Sequence, residues 1–132
     1  MDYMFLLYTD EKQMANLSPE ERTATITRHW AIVDDAQHRG VYKAASPLEP
    51  TSTAFVARAR DGQVTFTDGP YAETREALAG FYMIDCRDDA EARYWASRLS
   101  ETLCGIAVEF RKIRAVPQRA NAGEPSAVLA NA

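Results

Sequence analysis

Cysteine and histidine are scarce in this chain, with two of each in 132 residues. Cys86 and Cys104 fall in different expected elements and form no C-x-x-C pair. That excludes a disulfide framework and leaves too few ligands for a zinc site. Both are expected to be buried free thiols, because an unpaired cysteine behaves as a small core residue. Basic excess is also missing: the formal charge is −4 and the pI about 5.2. A nucleic-acid-binding domain normally carries a basic patch, so direct nucleic-acid binding is not expected. Arg111, Lys112 and Arg114 come nearest to one and read as the solvated edge of a strand. No apolar run approaches the roughly 20 residues that span a bilayer, so no membrane association is expected. The opening Met1-Asp2-Tyr3 has neither a basic n-region nor a cleavage site, which points to the cytoplasm. No phosphate loop or dinucleotide fingerprint occurs, and neither a cofactor nor a metal is expected.

Apolar residues make up 46% of the chain, enough for the core of one domain. Residues 3–8, Tyr-Met-Phe-Leu-Leu-Tyr, lack polar alternation and read as a strand buried on both faces. A polar loop is expected over 9–17. Ser18-Pro19-Glu20-Glu21 then carries an N-cap, a proline at the first helical position and acids in the first turn. This helix should run to Arg39 and stop at Gly40, with Ile26, Trp30, Val33 and Gln37 as its inward stripe. A weaker strand follows over 41–45. Residues 53–60 and 63–67 flank Asp61-Gly62, a strong hairpin signal. One helical turn is expected over 74–78, and an apolar strand over 79–86. A second helix starts at Asp88-Asp89 and carries Ala92, Tyr94, Trp95, Ala96 and Leu99. Trp30 and Trp95 are both expected in the core. The last strand spans 105–114, with Ile106, Val108 and Phe110 on one face. From Ala115 periodicity is lost, which divides the chain into a domain over 1–116 and a flexible tail over 117–132.

Without the hairpin, the element order is β-α-β-β-α-β, the ferredoxin-like pattern. The fold class is therefore α+β, with an inserted β-hairpin and two helices on one face of an antiparallel sheet. Both faces of that sheet are apolar. Tyr3, Phe5 and Leu7 oppose Met4, Leu6 and Tyr8, while Phe81 and Met83 oppose Tyr82, Ile84 and Cys86. Two helices cover only one face. A bare apolar face is unusual on a soluble monomer, so a homodimer packed sheet on sheet is expected, with a ligand cavity between the sheets.

Thr67-Asp68-Gly69-Pro70-Tyr71-Ala72-Glu73-Thr74 joins two strongly apolar segments. Glycine and proline stiffen the connection, while Asp68, Tyr71 and Glu73 give it chemistry. With the opening 3–8 segment, the Leu17-Ser18-Pro19-Glu20-Glu21-Arg22 helix start, Asp61-Gly62 and Gly80-Phe81-Tyr82-Met83-Ile84, this motif resembles the YCII-related proteins, in the branch called DGPF-domain proteins. Tyr71 departs from the Phe of that branch name. The resemblance covers roughly 1–116. It implies a dimeric α+β barrel of ferredoxin-like halves, and a functional link to sigma-factor regulation. It also implies that some members use a His and Asp pair.

The candidate catalytic residues are His29 and Asp68. A histidine titrates near neutral pH and serves as a general base, and a carboxylate from the loop would set its tautomer. Tyr71, Glu73 and Arg75 are candidate ligand contacts, Arg75 also as a partner for Glu73. Each also has a plain structural reading: His29 at the core edge, Tyr71 packed beneath its loop, Arg75 in a surface ion pair. Two functions remain open. One is a dimeric small-molecule-binding or regulatory protein. The other is a lyase- or isomerase-type enzyme working by His/Asp proton transfer.

Overall fold

The computed structural model describes residues 1–117. The tail expected over 117–132 therefore lies, Pro117 apart, outside the described residues. The chain is α+β. Its elements are β1 (Asp2–Asp10), α1 (Glu11–Ala15), α2 (Pro19–His38), β2 (Tyr42–Pro47), β3 (Phe55–Arg60), β4 (Gln63–Asp68), β5 (Glu76–Asp85), α3 (Asp89–Ser100) and β6 (Ala107–Lys112). Four strands form an antiparallel sheet in the order β2-β5-β1-β6, and β3 pairs with β4 in a separate hairpin. That order is compatible with a ferredoxin-like arrangement.

Local chemistry sets the helix ends. Ser18 Oγ accepts from the Glu21 N–H at 3.1 Å, and Pro19 opens α2. Gly40 ends it at φ +73°, a conformation that costs glycine little. Asp88 caps α3 by accepting from the Glu91 N–H at 2.9 Å. The hairpin turn places Asp61 and Gly62 at φ +50° and +78°, the pattern of a type I′ turn.

The core lies between the helices and one face of the sheet. Tyr3, Phe5, Leu7, Tyr82 and Ile84 meet Ile32, Val33 and Ala36 of α2 and Ala92, Trp95, Ala96 and Leu99 of α3. Phe5 is fully buried and stacks on Phe110 with ring centroids 5.8 Å apart. On the opposite face Met4 lies across from Met83, and Leu6 across from Phe81. These side chains, with Tyr8, stay partly exposed. The expected division into two apolar faces is present, with α2 and α3 on one of them.

Five expectations change. The inward stripe of α2 is Thr25, His29, Ile32 and Ala36, with Val33, because the helix is turned by about one residue (about 100°) from the expected setting. Ile26 is then 57% and Trp30 61% exposed, and Gln37 is exposed as well. Small side chains such as Ala36 and Thr25 let α2 approach the sheet, which leaves its bulky neighbours outside. Of the two tryptophans only Trp95 is a core residue. The polar 9–17 segment is strand at Thr9 and Asp10, then a helix of five residues capped by the Asp10 carboxylate. So short a helix has no room for a 3.6-residue repeat to show. The helical turn expected over 74–78 does not form: residues 76–78 are instead the start of β5, which pairs Glu76 with Asp10 and Ala77 with Thr9. Cys104 is exposed, while Cys86 is buried as expected.

The hairpin stands apart. Phe55, Ala57, Val64 and Phe66 share one of its faces, and Phe55 and Phe66 are more than two-thirds exposed. At its base the Gly69 N–H donates to the Ala54 carbonyl at 2.7 Å. A Cβ at position 69 would stand 2.8 Å from the Ala54 Cβ, so this close approach requires glycine. The Gly69–Pro70 peptide is cis.

Candidate functional site

Between α2 and the sheet a cavity of about 390 Å³ opens toward solvent. Its walls come from Leu7 and Thr9 of β1, from Thr25, His29 and Val33 of α2, from Tyr42 and Ala45 of β2, and from Gly80 and Tyr82 of β5. Met14 of α1, Ile106 and the edge residues Ser46, Pro47, Ala79 and Phe81 also line it, and Ile26 and Trp30 stand at its exposed side. The turn of α2 that removes those two residues from the core is what gives the cavity its apolar rim. No Lys, Arg, Asp or Glu side chain lines it.

Its polar centre is a histidine–tyrosine pair. His29 Nδ1 and Tyr82 Oη lie 2.7 Å apart, and the two rings stack at 21°. Tyr82 is on β5, alternating with Gly80 and Ile84 on the helix-covered face. Burial lowers the His29 pKa from its ordinary value near 6.5, so the imidazole is neutral at pH 7. Burial, assisted by Tyr42, pushes the Tyr82 phenol up to about 12, so it keeps its proton. Among the described residues the Tyr82 hydroxyl makes no other hydrogen bond. Its proton is satisfied when it donates to an unprotonated Nδ1, which places the imidazole proton on Nε2.

The loop candidates lie elsewhere. Asp68 ends β4 opposite Phe55 and is exposed. Tyr71 is 79% exposed, with the Arg58 guanidinium 5.4 Å from its ring centre. Glu73 is exposed. Arg75 pairs with Asp10 at 3.2 Å and thereby holds the Asp10 carboxyl below its ordinary pKa. Within one chain, His29 and the loop do not share the cavity: Asp68, Tyr71, Glu73 and Arg75 are absent from its lining. Sequence reasoning overlooked Tyr82. The available signal was its place between Gly80 and Ile84 on the core face, since a buried tyrosine needs a partner for its hydroxyl.

A family model for the YCII-related domain matches residues 1–115. The chain belongs to the YCII-related family. The match covers every strand and helix described above, the cavity included. An uncharacterized protein of Rhizobium meliloti (strain 1021) is 36% identical to this YCII-related chain over 100 residues, covering 76% of this chain and 81% of the relative.

No helix among the described residues is long and apolar enough to cross a membrane. No cluster of three or more His, Cys, Asp or Glu residues suited to a metal occurs among them.

Proposed function

We propose that this YCII-related chain is a homodimeric small-molecule-binding protein whose ligand occupies the cavity between α2 and the sheet. One observation carries the reading: a cavity of about 390 Å³ whose apolar walls converge on the His29–Tyr82 pair. Small-molecule sites are usually concave and mostly apolar, with a few placed polar groups.

Two uncovered surfaces support the dimer. Met4, Leu6, Tyr8, Phe81 and Met83 form an apolar sheet face that stays partly exposed among the described residues, a surface a second copy would cover. The hairpin exposes Phe55, Val64 and Phe66, and a lone two-stranded hairpin is marginally stable. In this reading the Asp68–Arg75 loop is offered to the second copy, and Asp68, Tyr71, Glu73 and Arg75 are its contact groups. The Asp68-Gly69-Pro70-Tyr71 turn supports assignment to the DGPF-type branch.

Lyase or isomerase chemistry is the second reading, favoured by a neutral His29 at pH 7. It ranks lower because Nδ1, the unprotonated nitrogen, is already engaged by Tyr82. A thermal-shift screen of a metabolite library tests the first reading. At one hundred times its Kd a true ligand stabilises wild type by about 2.7 kcal/mol, and His29→Ala clearly reduces the shift. Asp68→Ala reduces it too if the loop closes the site. A library hit that stabilises His29→Ala and wild type equally would remove the cavity from the argument.

A further inference from the structure

Charge is absent from the walls of the cavity. The residues that form it include no lysine, arginine, aspartate or glutamate. An ionised ligand entering here loses water and meets no opposite charge, a penalty that apolar contact does not offset. Phosphorylated and carboxylated metabolites are therefore poor occupants.

The remaining polarity has a direction. Tyr82 Oη engages His29 Nδ1 at 2.7 Å. In that arrangement the imidazole can only donate from Nε2, the one nitrogen without a partner among the described residues. Thr25 is not a competing donor, because its hydroxyl is bonded to the Glu21 carbonyl at 2.8 Å. Thr9, Tyr42 and Ser46 also line the cavity and carry neutral hydroxyls, so its polarity is uncharged throughout, while Leu7, Val33 and Ala45 offer only apolar contact.

We propose that the cavity selects an uncharged, largely hydrocarbon ligand carrying a neutral hydrogen-bond acceptor, a carbonyl or an ether oxygen, which receives the Nε2–H of His29. This ligand class rests on the reading of the cavity as the binding site, but its failure is distinguishable from the failure of that reading.

Three probes on one skeleton make the test: 1-acetylnaphthalene, 1-ethylnaphthalene and 1-naphthoate, with affinities from equilibrium dialysis at neutral pH. The ketone should bind about tenfold more tightly than the hydrocarbon, the factor expected of one buried neutral hydrogen bond. Naphthoate should bind more weakly than both. In His29→Phe, which keeps a ring but loses the donor, the preference for the ketone should fall to about one. The wild-type series decides the matter even where the variant does not fold. Equal affinity for ketone and hydrocarbon, or tightest binding of naphthoate, overturns the ligand class and leaves the cavity as a site. Binding of none of the three overturns both. A nitrogen-15 spectrum placing the His29 proton on Nδ1 also overturns the proposal, with no ligand present.

Discussion

His29 makes folding stability depend on pH with a defined sign. Its unfolded pKa is near 6.5, and burial lowers the folded value. Between these two values the unfolded chain binds more protons than the folded one. Stability must therefore rise with pH across that window. Above about pH 6.5 both states are neutral at this residue and the contribution is complete. Below the folded pKa both are protonated, the contribution is lost, and the curve flattens. One proton limits the slope to about 1.4 kcal/mol per pH unit. For a domain of this size that corresponds to a change in Tm of roughly 5 °C per pH unit. Asp10 and Asp85 are held low by Arg75 and the N-terminal ammonium, so the stability they add is lost only as pH falls below the ordinary carboxylate range. They do not disturb the window. The assay is urea unfolding of wild type and His29→Gln between about pH 5 and 7.5, chosen around the histidine range. Glutamine cannot titrate, so the difference between the two curves belongs to His29. The difference should rise with pH and level off above about 6.5. A flat difference, or one that falls with rising pH, would show that His29 is not held neutral by burial.

Two further predictions concern the loop and the open sheet face. Gly69→Ala should destabilise the chain by about 1–3 kcal/mol, the range for overpacking, since its new Cβ meets the Ala54 Cβ at 2.8 Å; unchanged stability in denaturant titration contradicts the close approach. Leu6→Lys leaves the helix-side core intact because Leu6 points away from it, opposite Phe81. Sedimentation at micromolar concentration should show wild-type dimer and variant monomer, and wild type sedimenting as a monomer removes the case for assembly through this face.

Much of the fold is legible because its signals are local. Ser18 with Glu21 starts α2, Gly40 stops it, Asp61-Gly62 turns the hairpin, and Asp88 caps α3. Each reads from a few adjacent residues. The site was legible only in part. His29 was singled out by its chemistry, but its hydrogen-bond partner Tyr82 lies fifty-three positions away and meets it only in the folded chain. The rotation of α2 was also hidden. Stripes through Ile26 and Trp30 or through Thr25 and His29 both satisfy a helical period, and hydrophobicity favoured the larger pair. The choice depends on how closely α2 can approach a sheet already filled by Phe5, Leu7 and Tyr82.

The order of strands and helices, the two apolar faces of β1 and β5, the scarcity of metal ligands and the turn chemistry belong to the amino-acid order itself, because each follows from side-chain type and short-range spacing. Tertiary structure alone decided which face of α2 meets the sheet, that His29 bonds Tyr82, and that the cavity contains no charge. These are contacts between distant segments, and their outcome is set by volume and hydrogen bonding across the gap between helix and sheet.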